Sequence, residues 1–213
     1  MTACEDSGPL AAGWRGVIQR AREDIDVVLA KDPAAHSRLE VLLYPHLHAL
    51  WLHRVAHRWY RCGHTTLARA LSLFARWISG IDIHPGARIG RRFFIDHAAA
   101  VVIGETAVIG NDVMLYHQVT LGSVGWWRDR RREPGAPRHP TLEDGVIVGV
   151  NASVLGPVTI GAGTRIGAGA VVCESVPPGA RVGAAGQALV WARPDAADQV
   201  PAPEPSTERL ASQ

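Results

Sequence analysis

The stretch LEDGVIVGVNASVLGPVTIGAGTRIGAGAVVCESV, residues 142–176, carries an aliphatic residue at every sixth position. These aliphatic markers are Leu142, Val148, Val154, Ile160, Ile166 and Val172. Four positions after each marker stands a small or β-branched residue: Val146, Ala152, Val158, Thr164, Ala170 and Val176. This period matches neither an α-helical turn nor the alternation of a half-buried strand. It is the hexapeptide pattern of a parallel β-helix, in which each hexad supplies one short strand and one corner.

The same period extends upstream, with two interruptions. Further markers stand at Ile83, Ile89, Ile95, Ile103, Ile109, Leu115 and Leu121. The phase slips by two residues between Ile95 and Ile103. Residues 122–140 contain no hexad, are polar and include glycine and proline, so we predict that they leave the coil as a loop. A long loop on such a regular coil is typically a binding element.

The first part of the chain, residues 11–79, has the apolar spacing of amphipathic helices. Pro45 suits the first turn of one helix, and Gly80 suits the end of another. An earlier helix, residues 14–31, is expected to stop before Asp32, whose carboxylate would cap the next helix.

We therefore predict an α+β fold with three segments. An N-terminal α-helical domain spans residues 1–79. A left-handed parallel β-helix of hexapeptide repeats spans residues 80–190, with the excursion loop at 122–140. The proline- and alanine-rich end, residues 191–213, is expected to be a disordered tail.

Composition argues against several classes of protein. The chain has 213 residues and a formal net charge of +2, and so small a charge argues against a dedicated nucleic-acid or membrane-surface binder. No stretch approaches the length of a membrane span, and residues 1–10 lack the basic start and apolar run of a secretion signal. Cys4, Cys62 and Cys173 are odd in number and widely spaced, as is typical of free thiols in a reducing compartment. We expect a cytoplasmic protein.

Polar residues that break the hexad pattern are the candidates for chemistry. Asp82 and His84 flank the first marker of the coil, and Asp96 and His97 stand at the phase slip. A carboxylate beside an imidazole suits general-base catalysis, because the imidazole accepts a proton near neutral pH and the carboxylate stabilises the imidazolium. The separation of Asp82 and His97 along the chain is close to the three hexads of one coil, so we expect the two side chains to approach each other.

Three segments resemble the serine O-acetyltransferase family of hexapeptide-repeat acyltransferases, and in particular its shorter subgroup. They are DIHPGARIGRRFFIDHAAAVVIGETAVIGNDV at 82–113, RHP at 138–140 and GPVTIGAGTRIGAGAVV at 156–172. The resemblance extends over roughly residues 20–185. It implies an O-acyltransferase that uses acetyl-CoA as co-substrate and L-serine as acceptor, with no metal.

Residue by residue, the resemblance implies a binding site for a zwitterion next to a general base. His97 would take the proton of the serine hydroxyl, with Asp82 as its carboxylate partner. The residues implied to bind serine are Asp96, Asp32, Arg138 and His139. Such a set is chemically sensible, because a zwitterion needs an anion for its ammonium and a guanidinium for its carboxylate.

On the acetyl-CoA side, the resemblance implies direct attack of the serine oxygen on the thioester carbonyl. The residues implied to bind the co-substrate are Gly122, Ser123, Gly125 and Arg165, and backbone N–H groups near the first two would stabilise the oxyanion. Two motifs depart from the family: its Gly-Gly-Thr-Gly is Gly122-Ser123-Val124-Gly125 here, and its closing motif is Gly186-Gln187-Ala188-Leu189. The following loop is longer than usual and carries Trp126, Trp127 and four arginines.

These departures leave other reactions open. The acceptor would then be homoserine or another hydroxy amino acid, or the donor a longer acyl-CoA. Two further classes compete: a zinc hydratase, which needs three converging imidazoles among His84, His97, His117 and His139, and an inactive scaffold, which has no reason to keep a serine-binding set.

The resemblance also carries expectations about partners. It implies a homotrimer or a dimer of trimers with the site between subunits, feeding cysteine synthesis or a specialised pathway. Family members that dock to the next enzyme of cysteine synthesis do so through a terminal isoleucine. The sequence ends in Ser212-Gln213, so we do not expect that complex, nor binding to nucleic acid or membrane.

Overall fold

The computed structural model describes residues 10–133 and 135–183. Within them four helices precede the coil: α1 (Leu10–Lys31), α2 (Arg38–Val41), α3 (Pro45–Arg61) and α4 (Thr65–Ser79). Pro45 begins α3, and Gly80, with a φ of +73°, ends α4, as the sequence predicts. The tail predicted at 191–213 and the divergent motif at 186–189 lie outside the described residues.

The turn between α1 and α2 differs from the expectation. Ser37 caps α2, because its hydroxyl accepts a hydrogen bond from the backbone N–H of Glu40 at 3.2 Å. Asp32 instead closes a local turn, in which its carboxylate accepts a hydrogen bond from the N–H of Ala34 at 2.8 Å. The prediction that Asp32 caps the next helix is therefore wrong, and its second carboxylate oxygen is left for another partner.

The coil is a left-handed parallel β-helix with three faces, so the predicted fold class is confirmed. Face A contains β1 (Asp82–Ile83), β4 (Val102–Ile103), β7 (Thr120–Gly122), β10 (Ser153–Leu155) and β13 (Val171–Val172). Face B contains β2 (Arg88–Ile89), β5 (Val108–Ile109), β8 (Thr141–Leu142) and β11 (Thr159–Ile160). Face C contains β3 (Phe94–Ile95), β6 (Met114–Leu115), β9 (Ile147–Val148), β12 (Arg165–Ile166) and β14 (Arg181–Val182). Most strands pair with the strand three places further along the chain.

The strand register locates two insertions in an otherwise regular coil. Val102 pairs with Thr120 and Ser153 with Val171, so a regular turn of the coil consists of three hexads. Asp82 pairs with Val102, and this turn is longer than three hexads because the corner between β3 and β4 holds two extra residues. Thr120 pairs with Ser153 across a much longer stretch, because the loop that includes α5 (Trp126–Asp129) leaves the coil after β7. The two-residue slip and the loop both correspond to the breaks in the hexad pattern.

The hexad markers fill the interior of the coil, where Leu115, Leu121 and Ile160 have no exposed surface. Phe94 points the other way from face C, and it is buried against Val28 of α1, among other residues of the helical block. Because side chains alternate across a strand, Phe94 packs against the helices while its neighbour Ile95 fills the core of the coil. None of the helices in the described residues is long and apolar enough to cross a membrane.

Two buried histidines make the stability of the helical block depend on pH. His46 is 2% exposed and packs edge-on against Phe94, with ring centroids 5.2 Å apart, and His53 is 4% exposed. Burial lowers the pKa of His46 to about 4 and that of His53 to about 3. An unfolded chain binds protons near the ordinary imidazole pKa of 6.5. Between that value and the lowered ones, acid therefore favours the unfolded state.

We expect the free energy of unfolding to fall by a few kcal/mol from about pH 7 to about pH 4.5, since each pKa unit corresponds to about 1.4 kcal/mol. Denaturant titrations at the two pH values measure this difference. His46→Leu removes one titrating ring and should lessen the pH dependence, whereas a change at exposed His64, His64→Leu, should not. Equal pH dependence in the wild type and both variants would contradict the assignment.

Candidate active site

Five residues meet at the widened corner between β3 and β4, and we call them the His97 cluster: Asp32, Tyr44, Asp96, His97 and His117. Two inserted residues lengthen this corner, and the His97 side chain on it is 77% exposed. Its backbone has a φ of +53°, in the left-handed region. The His97 ring lies edge-on to His117, with centroids 5.8 Å apart, and its Nε2 is 3.9 Å from Oδ1 of Asp96. The corner thus presents an accessible imidazole beside a carboxylate.

The Asp32 carboxylate is fixed at the same cluster by the helical block. Its Oδ2 accepts a hydrogen bond of 2.7 Å from the Tyr44 hydroxyl. This bond, followed by the bond from the Ala34 N–H, lowers the pKa of Asp32, and it raises the pKa of Tyr44 to about 12. The charge of His97 also favours the ionised form of Asp32 and lowers its pKa further. Asp32 is therefore a held anion that suits an ammonium group.

A second group of residues, the Arg138 cluster, consists of Tyr60, Glu105, Thr106, Arg138 and His139. Glu105 accepts a hydrogen bond from Nη2 of Arg138 through one oxygen and from the Tyr60 hydroxyl, at 2.7 Å, through the other. The bond from Tyr60 is the main cause that lowers the pKa of Glu105, with the bond from Arg138 adding to it. The guanidinium is consequently held at one side and keeps N–H donors for an anion.

His139 is oriented by Thr106 of the same cluster. The Thr106 N–H donates to Nδ1 of His139 at 3.1 Å, while its hydroxyl accepts from the backbone N–H of Arg138 and of His139. Burial first, and the charge of Arg138 second, lower the pKa of His139 to about 4. At neutral pH the ring is therefore neutral, and since Nδ1 accepts, the proton is on Nε2. A Cβ on Gly104 would lie 2.0 Å from the ring, so glycine is needed there.

The loop after β7 is attached to the Arg138 cluster through Asp129. Oδ2 of Asp129 lies 3.9 Å from Nη1 of Arg138. In α5, Trp126 is 67% and Trp127 54% exposed, and the guanidinium of Arg130 lies 5.3 Å from the ring centre of Trp126. The loop therefore presents two indoles and a cation close to the predicted serine-carboxylate site.

The four residues predicted to bind acetyl-CoA do not all lie together in one chain. Gly122 is the last residue of β7, and Ser123 follows it at the start of the loop. Gly125 precedes α5, where a Cβ would meet the Trp127 ring at 2.5 Å. Arg165 lies on β12 of face C, away from the other three.

The two clusters lie at opposite edges of face A. His97 stands where the chain enters β4, and Glu105 stands just after the chain leaves it. No hydrogen bond or ion pair among residues 10–133 and 135–183 joins the clusters. Asp82, the predicted partner of His97, pairs instead with Arg76 at 3.1 Å and lies 3.9 Å from Arg69. One chain by itself therefore holds the predicted residues as two half-sites.

The coil histidines are divided between the same two edges. His97 contacts His117 at one edge, while His84 and His139 lie at the other, near Glu105. Over the part of the chain that the structure describes, no group of three or more His, Cys, Asp or Glu side chains is arranged to hold a metal ion. The three converging imidazoles of the hydratase hypothesis are not found there.

Several partners in these clusters were missed at the sequence level. Tyr44 and Tyr60 read as helix residues, and Thr106 as an ordinary coil residue. Their hydrogen-bond partners lie 12, 45 and 33 residues away in the chain, so no local pattern marks them. The contact between Glu105 and Arg138 likewise joins residues that lie 33 positions apart.

The model of the family described as bacterial transferase hexapeptide (six repeats) matches residues 139–174. The chain is 53% identical to the serine acetyltransferase of Bacillus licheniformis over 157 residues, 73% of this chain and 69% of the relative. It is 51% identical to the serine acetyltransferase of Mycobacterium tuberculosis over 187 residues, 87% of this chain and 76% of the relative. The crystal structure of Neisseria gonorrhoeae serine acetyltransferase in complex with serine matches with a TM-score of 0.70 at 39% identity. That match covers 78% of this chain and 66% of the gonococcal one.

The coil and the repeat model together define the class, the hexapeptide-repeat transferases. The sequence identity to the named relatives defines the family more narrowly than the fold does. The chain belongs to the serine acetyltransferase family, a family of O-acyltransferase enzymes, and the predicted resemblance is confirmed.

Proposed function

We propose that this protein transfers the acetyl group of acetyl-CoA to the hydroxyl of L-serine, giving O-acetylserine and CoA. The observation that carries the proposal is the identity of about 50% to two serine acetyltransferases. It is supported by the two clusters, which together offer what a zwitterion and a general base need. The product would serve cysteine synthesis or another pathway that consumes O-acetylserine.

In this proposal the two clusters bind opposite ends of serine. The carboxylates of Asp32 and Asp96 take the ammonium group, because both lie beside the accessible base. Arg138 takes the serine carboxylate through the N–H donors that Glu105 leaves free. His139 adds a neutral donor at Nε2, whose proton is held there by the bond from Thr106 to the other ring nitrogen.

The reaction then proceeds by direct attack. The His97 imidazole accepts the proton of the serine hydroxyl as the serine oxygen bonds to the thioester carbon. The resulting oxyanion is stabilised by backbone N–H groups near Gly122 and Ser123. When the intermediate collapses, the C–S bond breaks and CoA leaves as a thiolate. Asp82 stabilises the imidazolium in this scheme.

A homotrimer would bring the half-sites together. The clusters flank face A, and its outward residues include the apolar Val102, 40% exposed, and Val171, 67% exposed. A threefold arrangement of three copies would set the His97 cluster of one subunit against the Arg138 cluster of the next, since a cyclic interface joins different patches. In this arrangement Asp82 and Arg165 would each contribute to a site that a neighbouring copy completes. A dimer of two such trimers is compatible with the same arrangement.

The exposed indoles of α5 favour a second candidate, an O-acyltransferase with a bulkier donor or with homoserine as acceptor. Trp126 and Trp127 offer a large apolar surface next to Asp129 and Arg138. Such a surface suits a longer acyl chain, or the adenine of CoA through stacking.

Thiol release from the full chain distinguishes these candidates. L-Serine and L-homoserine should be compared with acetyl-CoA as donor, and acetyl-CoA with longer acyl-CoA thioesters as donors to serine. We expect the serine and acetyl-CoA pair to have the highest kcat/KM. A higher value for homoserine, or for a bulkier donor, would replace the proposal with the second candidate.

Glu105→Gln is expected to raise the KM for serine by about tenfold while changing kcat much less. The amide keeps the shape of the side chain but loses the charge that orients Arg138, and a charge-assisted hydrogen bond contributes about 1.5–3 kcal/mol. Steady-state kinetics at saturating acetyl-CoA separate the two parameters. The matched control is Glu174→Gln, because Glu174 is exposed, and we expect this variant to have wild-type kinetics. A fall in kcat alone would contradict the positioning role.

A further inference from the structure

A cavity remote from both clusters lies between the helical block and the first turn of the coil. Its volume is about 340 Å³, within the usual range for small-ligand sites. Residues of α1, of α3 and of the segment 87–92 line it. That segment leads into the corner between faces B and C, whereas the His97 and Arg138 clusters flank face A. The cavity therefore belongs to neither half-site.

The wall of this cavity is rich in arginine. It contains Arg20, Arg54, Arg61, Arg88, Arg91 and Arg92, against two acids, Glu23 and Asp24. Asp24 is 1% exposed, and its carboxylate accepts hydrogen bonds from both terminal nitrogens of Arg54, at 2.6 and 2.8 Å. Glu23 pairs with Arg91, and Arg92 pairs with Asp112 outside the wall. Three of the six guanidinium groups are thus neutralised within the protein.

The other three arginines lack such a partner within the described part of the chain. Among the residues that the structure describes, no side-chain hydrogen bond or ion pair engages Arg20, Arg61 or Arg88. They come from α1, from the last position of α3 and from β2. Three separate elements therefore bring one uncompensated cation each to a single cavity. All three residues are exposed and line the same cavity, so a multivalent anion there would be attracted by three cations.

A buried polar atom is also left without a partner in the wall. His53 is 4% exposed, and its Nδ1 makes no hydrogen bond within the described chain. Buried polar atoms of this kind are normally satisfied by a ligand or an ordered water. His57 is fixed beside it, since its Nδ1 lies 2.8 Å from the carbonyl oxygen of Pro85.

We propose that this cavity binds a small multivalent oxyanion through Arg20, Arg61 and Arg88. The shared chemistry is that of inorganic phosphate, sulfate or the phosphate group of a small monoester, because a guanidinium matches two oxygens of such a group at once. The bound anion would join α1 and α3 to the first turn of the coil. This site does not depend on the reaction proposed for the two clusters.

Binding to the full chain tests the site directly. Isothermal titration with phosphate, sulfate and glycerol 3-phosphate, and thermal unfolding in the same solutions, should be compared with chloride at matched ionic strength. We expect saturable binding of at least one oxyanion and a rise in Tm that chloride does not reproduce. The anion that binds most tightly identifies the source. If Tm rises by the same amount in chloride, the effect is ionic screening and the proposal is overturned.

Paired arginine variants locate the binding. Arg61→Gln should lower the affinity for the oxyanion by about tenfold, the effect of losing one charge-assisted contact. Arg58→Gln is the matched control, because Arg58 lies in the same last turn of α3, is exposed and does not line the cavity. Loss of a favourable charge at a helix C-terminus is then common to both variants. Equal affinity in the two variants would place any bound anion elsewhere.

Discussion

Replacement of His97 by alanine should lower kcat for acetyl transfer to L-serine by about 10² or more, the range expected for loss of a general base. The imidazole stands on the lengthened corner between β3 and β4, and 77% of its side chain is exposed. Its removal therefore opens no cavity in the core, and we expect an unchanged Tm. The KM for serine should change little, because Asp32 and Arg138 still bind the substrate. Thiol release at saturating substrates measures the effect.

His64→Ala is the control for this variant. His64 is exposed at the start of α4, and its side chain makes no capping hydrogen bond, so activity should remain at the wild-type level. A His97→Ala enzyme that keeps more than about a tenth of wild-type kcat would remove His97 from the role of base. A fall in Tm together with activity would instead indicate a structural role.

Two inactive variants should restore activity when they are combined. In a cyclic trimer, each site would take its His97 cluster from one subunit and its Arg138 cluster from the next. His97→Ala and Arg138→Ala damage different half-sites, so a mixed trimer has one intact site in three. Random association of equal amounts gives mixed trimers in about three quarters of cases, so the mixture should reach about a quarter of wild-type activity.

Joint refolding or co-expression of the two variants, with the separate preparations as references, provides this measurement. His97→Ala mixed with a second variant of the same half-site, Asp96→Ala, should show no recovery and serves as the control. Absence of recovery in the His97 and Arg138 mixture, with trimers of the expected mass present, would mean that each site is built within one subunit.

The coil was predictable because each six-residue repeat specifies its own strand and corner from nearby residues. Each marker, such as Leu121 or Ile160, points into the core whatever happens elsewhere, and insertions only shift the phase. The helix cap was less predictable. Asp32 and Ser37 are both good capping residues, and their separation by five positions left the choice to geometry. The contact between Asp32 and Tyr44 could not be read from either segment alone.

The candidate site was predictable in its residues but not in its arrangement. Polar residues that interrupt the hexads, such as Asp96 and His97, stand out in the sequence. The separation of Asp82 and His97 suggested proximity, yet the turn of the coil that begins at Asp82 returns above it only at Val102. His97 consequently falls one corner short of the position above Asp82. Spacing alone gives the turn of a coil, while the corner that a residue occupies depends on insertions.

The ladder of face A continues undisturbed across the loop after β7, since Thr120 pairs with Ser153 as regularly as Val102 pairs with Thr120. Both ends of the loop are therefore anchored in space by strands, at Gly122 and Thr141. The molecule divides into a periodic frame and an inserted loop, and the end of that loop carries Arg138 and His139 of the proposed serine site. Because the strands fix both ends of the loop, substitutions within it can change what the site recognises while the frame keeps its register.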